Sequence, residues 1–348
     1  MTTIAYVGSR TTQARKARGK GLSVFRIEGT RWQQLQMLEM ENPSFLAFDH
    51  ARQNLYTVHG DLDRVSAFRI DPATGCLAAL NQQVTMGRNP VHLSFDPADR
   101  FLVVANHVTS SLAVLPRERD GRLGPIENLT QITGEIGPHR VEQPFPKPHQ
   151  VEFDPSGHWI VVPDKGIDKL LVYRLEGGQL VQVSACPCRE GAGPRHVAFH
   201  PDGRRVYVVN ELDSTVAACR FDPQNGAIAP FQILSALPED FTGNSRGAEI
   251  AVSDDGQWLH ASNRGSDSIA SFPIRPDGRL GAPCHRKTGG RTPRFFALFG
   301  DRLFAANEDD DNITMMPAVP GELPEGQVEV VARVGSPVCI LFHEITDA

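Results

Sequence analysis

Four residues of this 348-residue chain have the side chains needed to move a proton beside a stabilised anion: His149, Arg195, Glu211 and Arg264. An unperturbed imidazole titrates near pH 6.5, and a carboxylate can take or orient a proton. A guanidinium holds developing negative charge through paired N–H donors. The four lie far apart in the sequence, and no short catalytic motif joins them. Ser-His-Asp chemistry lacks its Gly-x-Ser-x-Gly signature. Of the six cysteines (76, 186, 188, 219, 284 and 339), only Cys186 and Cys188 are close, and C-x-C matches neither zinc spacing nor a redox pair. What links the four residues is their place in a repeat.

The repeat is clearest from Gly193, GPRHVAFHPDGRRVYVVNE, where two β-branched and aromatic runs flank a Pro-Asp-Gly turn and read as a β-hairpin. It recurs as NPSFLAFDHARQNLYTVHG from Asn42, NPVHLSFDPADRFLVVANH from Asn89 and KPHQVEFDPSGHWIVVPDK from Lys147. Two later copies are RGAEIAVSDDGQWLHASNR from Arg246 and TPRFFALFGDRLFAANE from Thr292. A third strand follows most copies, and a weaker fourth often follows Gly-x-Leu, as at Gly75 and Gly121. Four short strands every 45 to 50 residues or so is the pattern of a β-propeller blade. The lone strand at Ser336–Phe342 complements IAYVG, GLSVFRI and WQQLQML at the N-terminus. The expected fold is therefore all-β: a seven-bladed propeller forming one domain over residues 1–348, closed by terminal strands that share a blade and remove an open sheet edge. The segments expected to be irregular are Thr11–Lys20, Asn128–Pro148 and Leu234–Ser245, the middle one long enough to suggest a functional or disordered loop.

Equivalent repeat positions should point at one axial region. The residue after the anchor proline reads Ser44, Val91, His149, Arg195, Ala248, Arg294 and Val338, with Gly247 replacing proline in one copy. The residue following the Asn that usually ends the second strand reads Gly60, His107, Lys165, Glu211, Arg264 and Glu308. A core histidine, a ring-stabilising ion pair or a solvated turn charge would account for any one of these. The shared phase is what marks out an axial polar site. His92, His107, Lys165, Arg294 and Glu308 are the candidates for contacting a substrate around the central four.

Composition narrows the partners. The formal net charge is −6 with no basic block, which argues against nucleic acid and anionic membrane as partners. The first residues lack a signal-peptide pattern, and no apolar run reaches the length of a membrane span. Scattered cysteines fit free thiols in a reducing cytoplasm. Oligomeric state is not readable.

GPRHVAFHPDGRRVYVVNELDSTVAACRFD and LPEDFTGNSRGAEIAVSDDGQWLHASNRGSDSIASF resemble the seven-bladed lactonase propellers, a family that includes bacterial 6-phosphogluconolactonases and fungal carboxy-cis,cis-muconate cyclases. The likeness runs over nearly the whole chain, and the cyclase branch's His, two Arg and Glu fall by motif on His149, Arg195, Arg264 and Glu211. The resemblance implies a lactone hydrolase acting on an anionic sugar lactone of the 6-phosphogluconolactone kind, in the pentose phosphate pathway. Two arginines and no clear ligand set point to activity without a metal, and no cofactor is expected. Glu211 would be the general base and His149 the proton donor, or the reverse, with Arg195 and Arg264 on the oxyanion or clamping an anionic group. Other readings are a muconate-type cycloisomerase, a calcium-dependent lactonase propeller and a non-enzymatic interaction propeller. The chain departs from the family pattern at Lys147 before Pro148-His149, in the Gly137–Gln143 loop, at Ala251 where many members have histidine, and at Asn307-Glu308.

Overall fold

The computed structural model describes residues 1–320 and 328–345. Seven four-stranded antiparallel sheets follow one another around a ring. In the closing blade Pro337–Ile345 is innermost and pairs with Thr2–Ser9, followed by Gly21–Glu28 and Arg31–Glu39. Val7 opposes Ile340 across the junction, so the chain ends are locked by main-chain hydrogen bonds. The other six blades run inner to outer in sequence order, beginning at Pro43, Pro90, Glu152, Pro194, Arg246 and Pro293.

Alternating strand residues pack the apolar faces of neighbouring blades against each other. Tyr207, Val209 and Val216 of one blade meet Ile250, Leu259 and Phe272 of the next. At the ring closure, Trp32 packs 5.9 Å from both Phe304 and Phe342, joining the terminal blade to its neighbour. The recurrent Gly-x-Leu has a matching structural use. Tyr6, Tyr56 and Tyr207 donate their hydroxyls to the carbonyls of Gly75, Gly121 and Gly278 at 2.8, 2.8 and 3.0 Å. Beside them, Gln36, Asn81 and Gln232 each clamp both main-chain groups of Leu77, Leu123 and Leu280. Three blades are thus bolted to the next where the outer strand begins. Tyr207→Phe strands the buried Gly278 carbonyl and should cost about 1–3 kcal/mol of stability. Urea unfolding with the midpoint unchanged would refute this.

Three departures from the expected elements have local causes. Asn128–Gln131 is the outer strand of its blade, because Ser111–Val114 offers it a free edge. Ala227–Ser235 likewise continues as a strand past Leu234, in register with Thr215. In the blade that begins at Glu152 the inner strand shrinks to Glu152–Phe153, and His149 precedes it in irregular backbone held by its N–H to the Pro163 carbonyl at 3.0 Å. The segment Thr11–Lys20 contains one short 3₁₀ turn, Gln13–Arg15.

Candidate active site

Every inner strand but Glu152–Phe153 starts with an irregularity. The register slips between Pro43 and Phe45, Pro90 and His92, Pro194 and His196, and Pro293 and Phe295, and again after Gly247. A bulge re-aims side chains, so two consecutive residues can face the axis. Ser44 with Phe45, Arg195 with His196 and Arg294 with Phe295 all line one axial cavity of about 10 Å³, together with Arg10, His149 and Glu249. That space has room for about one water-sized atom. Where proline is replaced by Gly247, a Cβ would stand 2.4 Å from the Asn210 carbonyl oxygen.

Glu211 is the hub of the mouth. It is 4% exposed, and its carboxylate lies 3.1 Å from Lys165 Nζ, 3.3 Å from Arg195 Nε and 3.3 Å from a terminal nitrogen of Arg264. Burial alone would raise its pKa, but Arg264, Lys165, Arg195 and Arg294 together hold it well below the usual carboxylate range. Arg195 and Arg264 are anchored from behind by the carbonyls of Ala248 and Gly247. Their guanidinium groups are therefore fixed in direction as well as paired. A loop residue completes the cluster: Glu142 bridges Lys165 at 3.1 Å and Arg246 at 2.7 Å. Its segment is tied down by Gln143 to the Lys165 carbonyl and by Gly137 to the Gly166 carbonyl.

A second network runs from His149. Its Nδ1 is 3.1 Å from His196 Nε2, and His196 Nδ1 is 2.9 Å from Glu249 Oε1. All three side chains are buried. The hydrogen order follows from the carboxylate end, because ionised Glu249 can only accept. His196 then donates from Nδ1 and accepts at Nε2, His149 donates from Nδ1, and His149 Nε2 is left with a free lone pair. Burial first, then Arg195, pulls both imidazoles well below their ordinary pKa, so they are neutral at pH 7. Burial raises Glu249 to about 7, against the pull of Arg195. It is the network's one group poised to exchange a proton near neutrality.

The other sequence candidates surround this centre. His107 presents an edge to His149 at 5.1 Å between centroids and bonds the Pro148 carbonyl through Nδ1 at 3.1 Å. His92 is buried, its ring 4.0 Å from that of Phe45. Arg294 lines the cavity and approaches Glu308 at 4.0 Å. The recurring asparagines turn inward: Asn210 bonds Thr215, and Asn263 bonds the Ala236 carbonyl. Sequence phase alone missed His196 and Glu249, because it assumed one axial residue per strand. Glu142 and Arg246 lie outside the two sampled positions, whereas Arg10 is the closing blade's member of the second, since Ser9 pairs with Pro337 as Asn210 does with Pro194. Among the described residues, no cluster of three His, Cys, Asp or Glu side chains is placed to hold a metal ion, and no helix is long and apolar enough to cross a membrane.

The comparisons with known proteins agree over the full ring. A family model described as "Lactonase, 7-bladed beta-propeller" matches residues 4–342. The 6-phosphogluconolactonase of Bacillus subtilis is 32% identical over 98% of this chain and 99% of its own. The periplasmic gluconolactonase PpgL of Pseudomonas aeruginosa superposes with a TM-score of 0.90 at 27% identity, covering 99% of this chain and 100% of that one. A putative 6-phosphogluconolactonase from Bacteroides fragilis gives 0.88 at 28% identity over 99% and 98% of the two chains. With its seven blades, its shared terminal blade and a match spanning nearly all its strands, this chain belongs to the seven-bladed β-propeller lactonase family.

Proposed function

We propose that this protein hydrolyses an anionic sugar lactone of the 6-phosphogluconolactone kind, by metal-independent acid–base catalysis at the channel mouth. One observation carries the reading: Arg195, anchored and sharing Glu211 with the anchored Arg264, lines one cavity with a neutral histidine whose hydrogen-bond chain ends on a carboxyl group near neutrality. Lactone opening needs an activated water, a place for negative charge on the carbonyl oxygen, and a proton for the leaving ring oxygen.

His149 Nε2 takes the proton from water as the hydroxide attacks the carbonyl carbon. The imidazolium charge is balanced through His196 by Glu249. Arg195 and Arg264 donate to the oxyanion of the tetrahedral intermediate. When the C–O bond of the ring breaks, His149 returns its proton to the ring oxygen, leaving a hydroxy acid. Of the two assignments open from the sequence, this is the one with histidine as base. The Glu211 carboxylate is taken up by Lys165, Arg195 and Arg264, which it keeps in place, whereas His149 Nε2 has its lone pair free. Working in the cytoplasm, within the pentose phosphate pathway, fits the relatives named 6-phosphogluconolactonase.

The test is a panel of phosphorylated and unphosphorylated sugar lactones and muconates, assayed with and without a chelator. The reading requires hydrolysis well above the spontaneous rate, insensitive to chelator. Turnover of muconates alone would make the protein a cycloisomerase. Loss of activity on chelation, restored by calcium, would make it metal-dependent, and no turnover of any compound would favour a binding role.

A further inference from the structure

Arg10 has no part in the chemistry above, yet it is 2% exposed and lines the axial cavity with Arg195, Arg294, His149 and Ser44. Its Nε and Nη1 are buried without a hydrogen-bond acceptor. Its one ion-pair partner among the described residues, Asp61, is 3.8 Å away and already paired with Arg15. The Ser44 hydroxyl, in the same cavity, is also buried and unpartnered. Leaving a buried cation this poorly paired is costly.

The fold nevertheless makes room for it. In the next blade, which begins at Pro43, the residue after the second strand is Gly60, where the other blades carry Arg10 itself, His107, Lys165, Glu211, Arg264 or Glu308. A Cβ on Gly60 would stand 2.1 Å from Arg10 Nη1 and 2.7 Å from Ser44 Oγ. Gly60 is not among the residues with positive φ, so the glycine serves space and not a turn. Across the cavity, Arg294 has only the 4.0 Å approach to Glu308. These groups only donate or can donate, and they converge on a space for about one oxygen atom.

We propose that Arg10 and Arg294, with Ser44, form a subsite for an oxygen of the substrate's anionic substituent, a phosphate or a carboxylate. Arg195 lines the same cavity and also reaches Glu211, so it joins this subsite to the reacting centre. Burial, then Arg294 and Arg15, lowers Arg10 only to about 9, so it is still a cation at neutral pH. The inference rests on the lactonase reading for the identity of the substrate, but not for the existence of an anion site.

The experiment compares wild type, Arg10→Gln and Gly60→Ala. Initial rates are measured with 6-phosphogluconolactone, a carboxylated lactone and neutral gluconolactone, and inorganic phosphate binding is measured by calorimetry. A lost charge-assisted hydrogen bond corresponds to about a 10–100-fold effect. Arg10→Gln should raise KM for one of the charged lactones by about that factor relative to the neutral one, with kcat changing less. The lactone that suffers more identifies the substituent as phosphate or carboxylate. Phosphate binding should weaken about tenfold or more, and Gly60→Ala should shift the same quantities in the same direction. Equal losses for charged and neutral lactones, or phosphate bound as tightly by Arg10→Gln as by wild type, would overturn the proposal. So would loss of the thermal transition in Arg10→Gln, which would make Arg10 a structural partner of Asp61. Should wild type open no lactone, the lactonase reading fails and the phosphate titration still decides the subsite.

Discussion

His149→Asn is expected to lower kcat for lactone hydrolysis by about 10²–10⁴, the usual contribution of a positioned general base. Asparagine keeps a polar group facing His196 but has no basic nitrogen to take the proton from water. The loss should fall on kcat more than on KM, because the proton moves only in the transition state. His149 stands on irregular backbone beside a two-residue strand, so no long sheet pairing depends on its side chain. Circular dichroism and thermal unfolding should therefore stay close to wild type. A variant that folds normally and retains wild-type kcat would remove His149 from the chemistry.

Arg195→Ala should lower turnover by about 10²–10³, the cost of one oxyanion donor. The residue is 3% exposed, held from behind by the Ala248 carbonyl and aimed at the mouth beside Glu211. Glu211 would still have Lys165 and Arg264 as partners, so the mouth keeps its main ion pairs. Arg264→Ala should act in the same direction. The readout is kcat together with the thermal transition of each variant. Collapse of the transition would make the arginine a structural brace, and an unchanged kcat would place the oxyanion elsewhere.

The ring and its closure were legible because blade strands announce themselves locally. An anchor proline, alternating apolar residues and a Pro/Asp/Gly turn recur along the chain, and the orphan strand at the C-terminus finds its complement at the N-terminus. The phase of the repeat also selected Glu211, Arg195, Arg264 and Lys165, which the ring brings within ion-pair distance. His196 and Glu249 escaped notice for a specific reason. In a regular strand, neighbours of axial residues point away, and only the bulge at the anchor turns them back. Arg10 holds in the closing blade the position that reads Gly60 or Glu211 in others, but the inner strand it pairs beside comes from the opposite end of the chain, which hides the phase. Its significance also depends on Gly60, a residue that looks empty in a sequence. Glu142 comes from a loop whose path no periodicity predicts; its place over Lys165 and Arg246 is a matter of tertiary pairing.

The most direct test of the account is kcat/KM for lactone hydrolysis as a function of pH, in wild type and Glu249→Gln. The carboxyl of Glu249 is raised by burial to about 7, so below that pH it is protonated in the free enzyme. The relay needs its ionised form to balance the charge on His149 and His196. Wild-type kcat/KM should therefore fall as pH drops through about 7, with a slope approaching tenfold per unit. The amide that replaces the carboxylate can still accept the hydrogen bond from His196 but cannot titrate. The variant should therefore be slower, and its acidic limb near 7 should vanish. Hydrolysis with the same limb at the same pH in both proteins, or no hydrolysis above the spontaneous rate in wild type, would contradict the account.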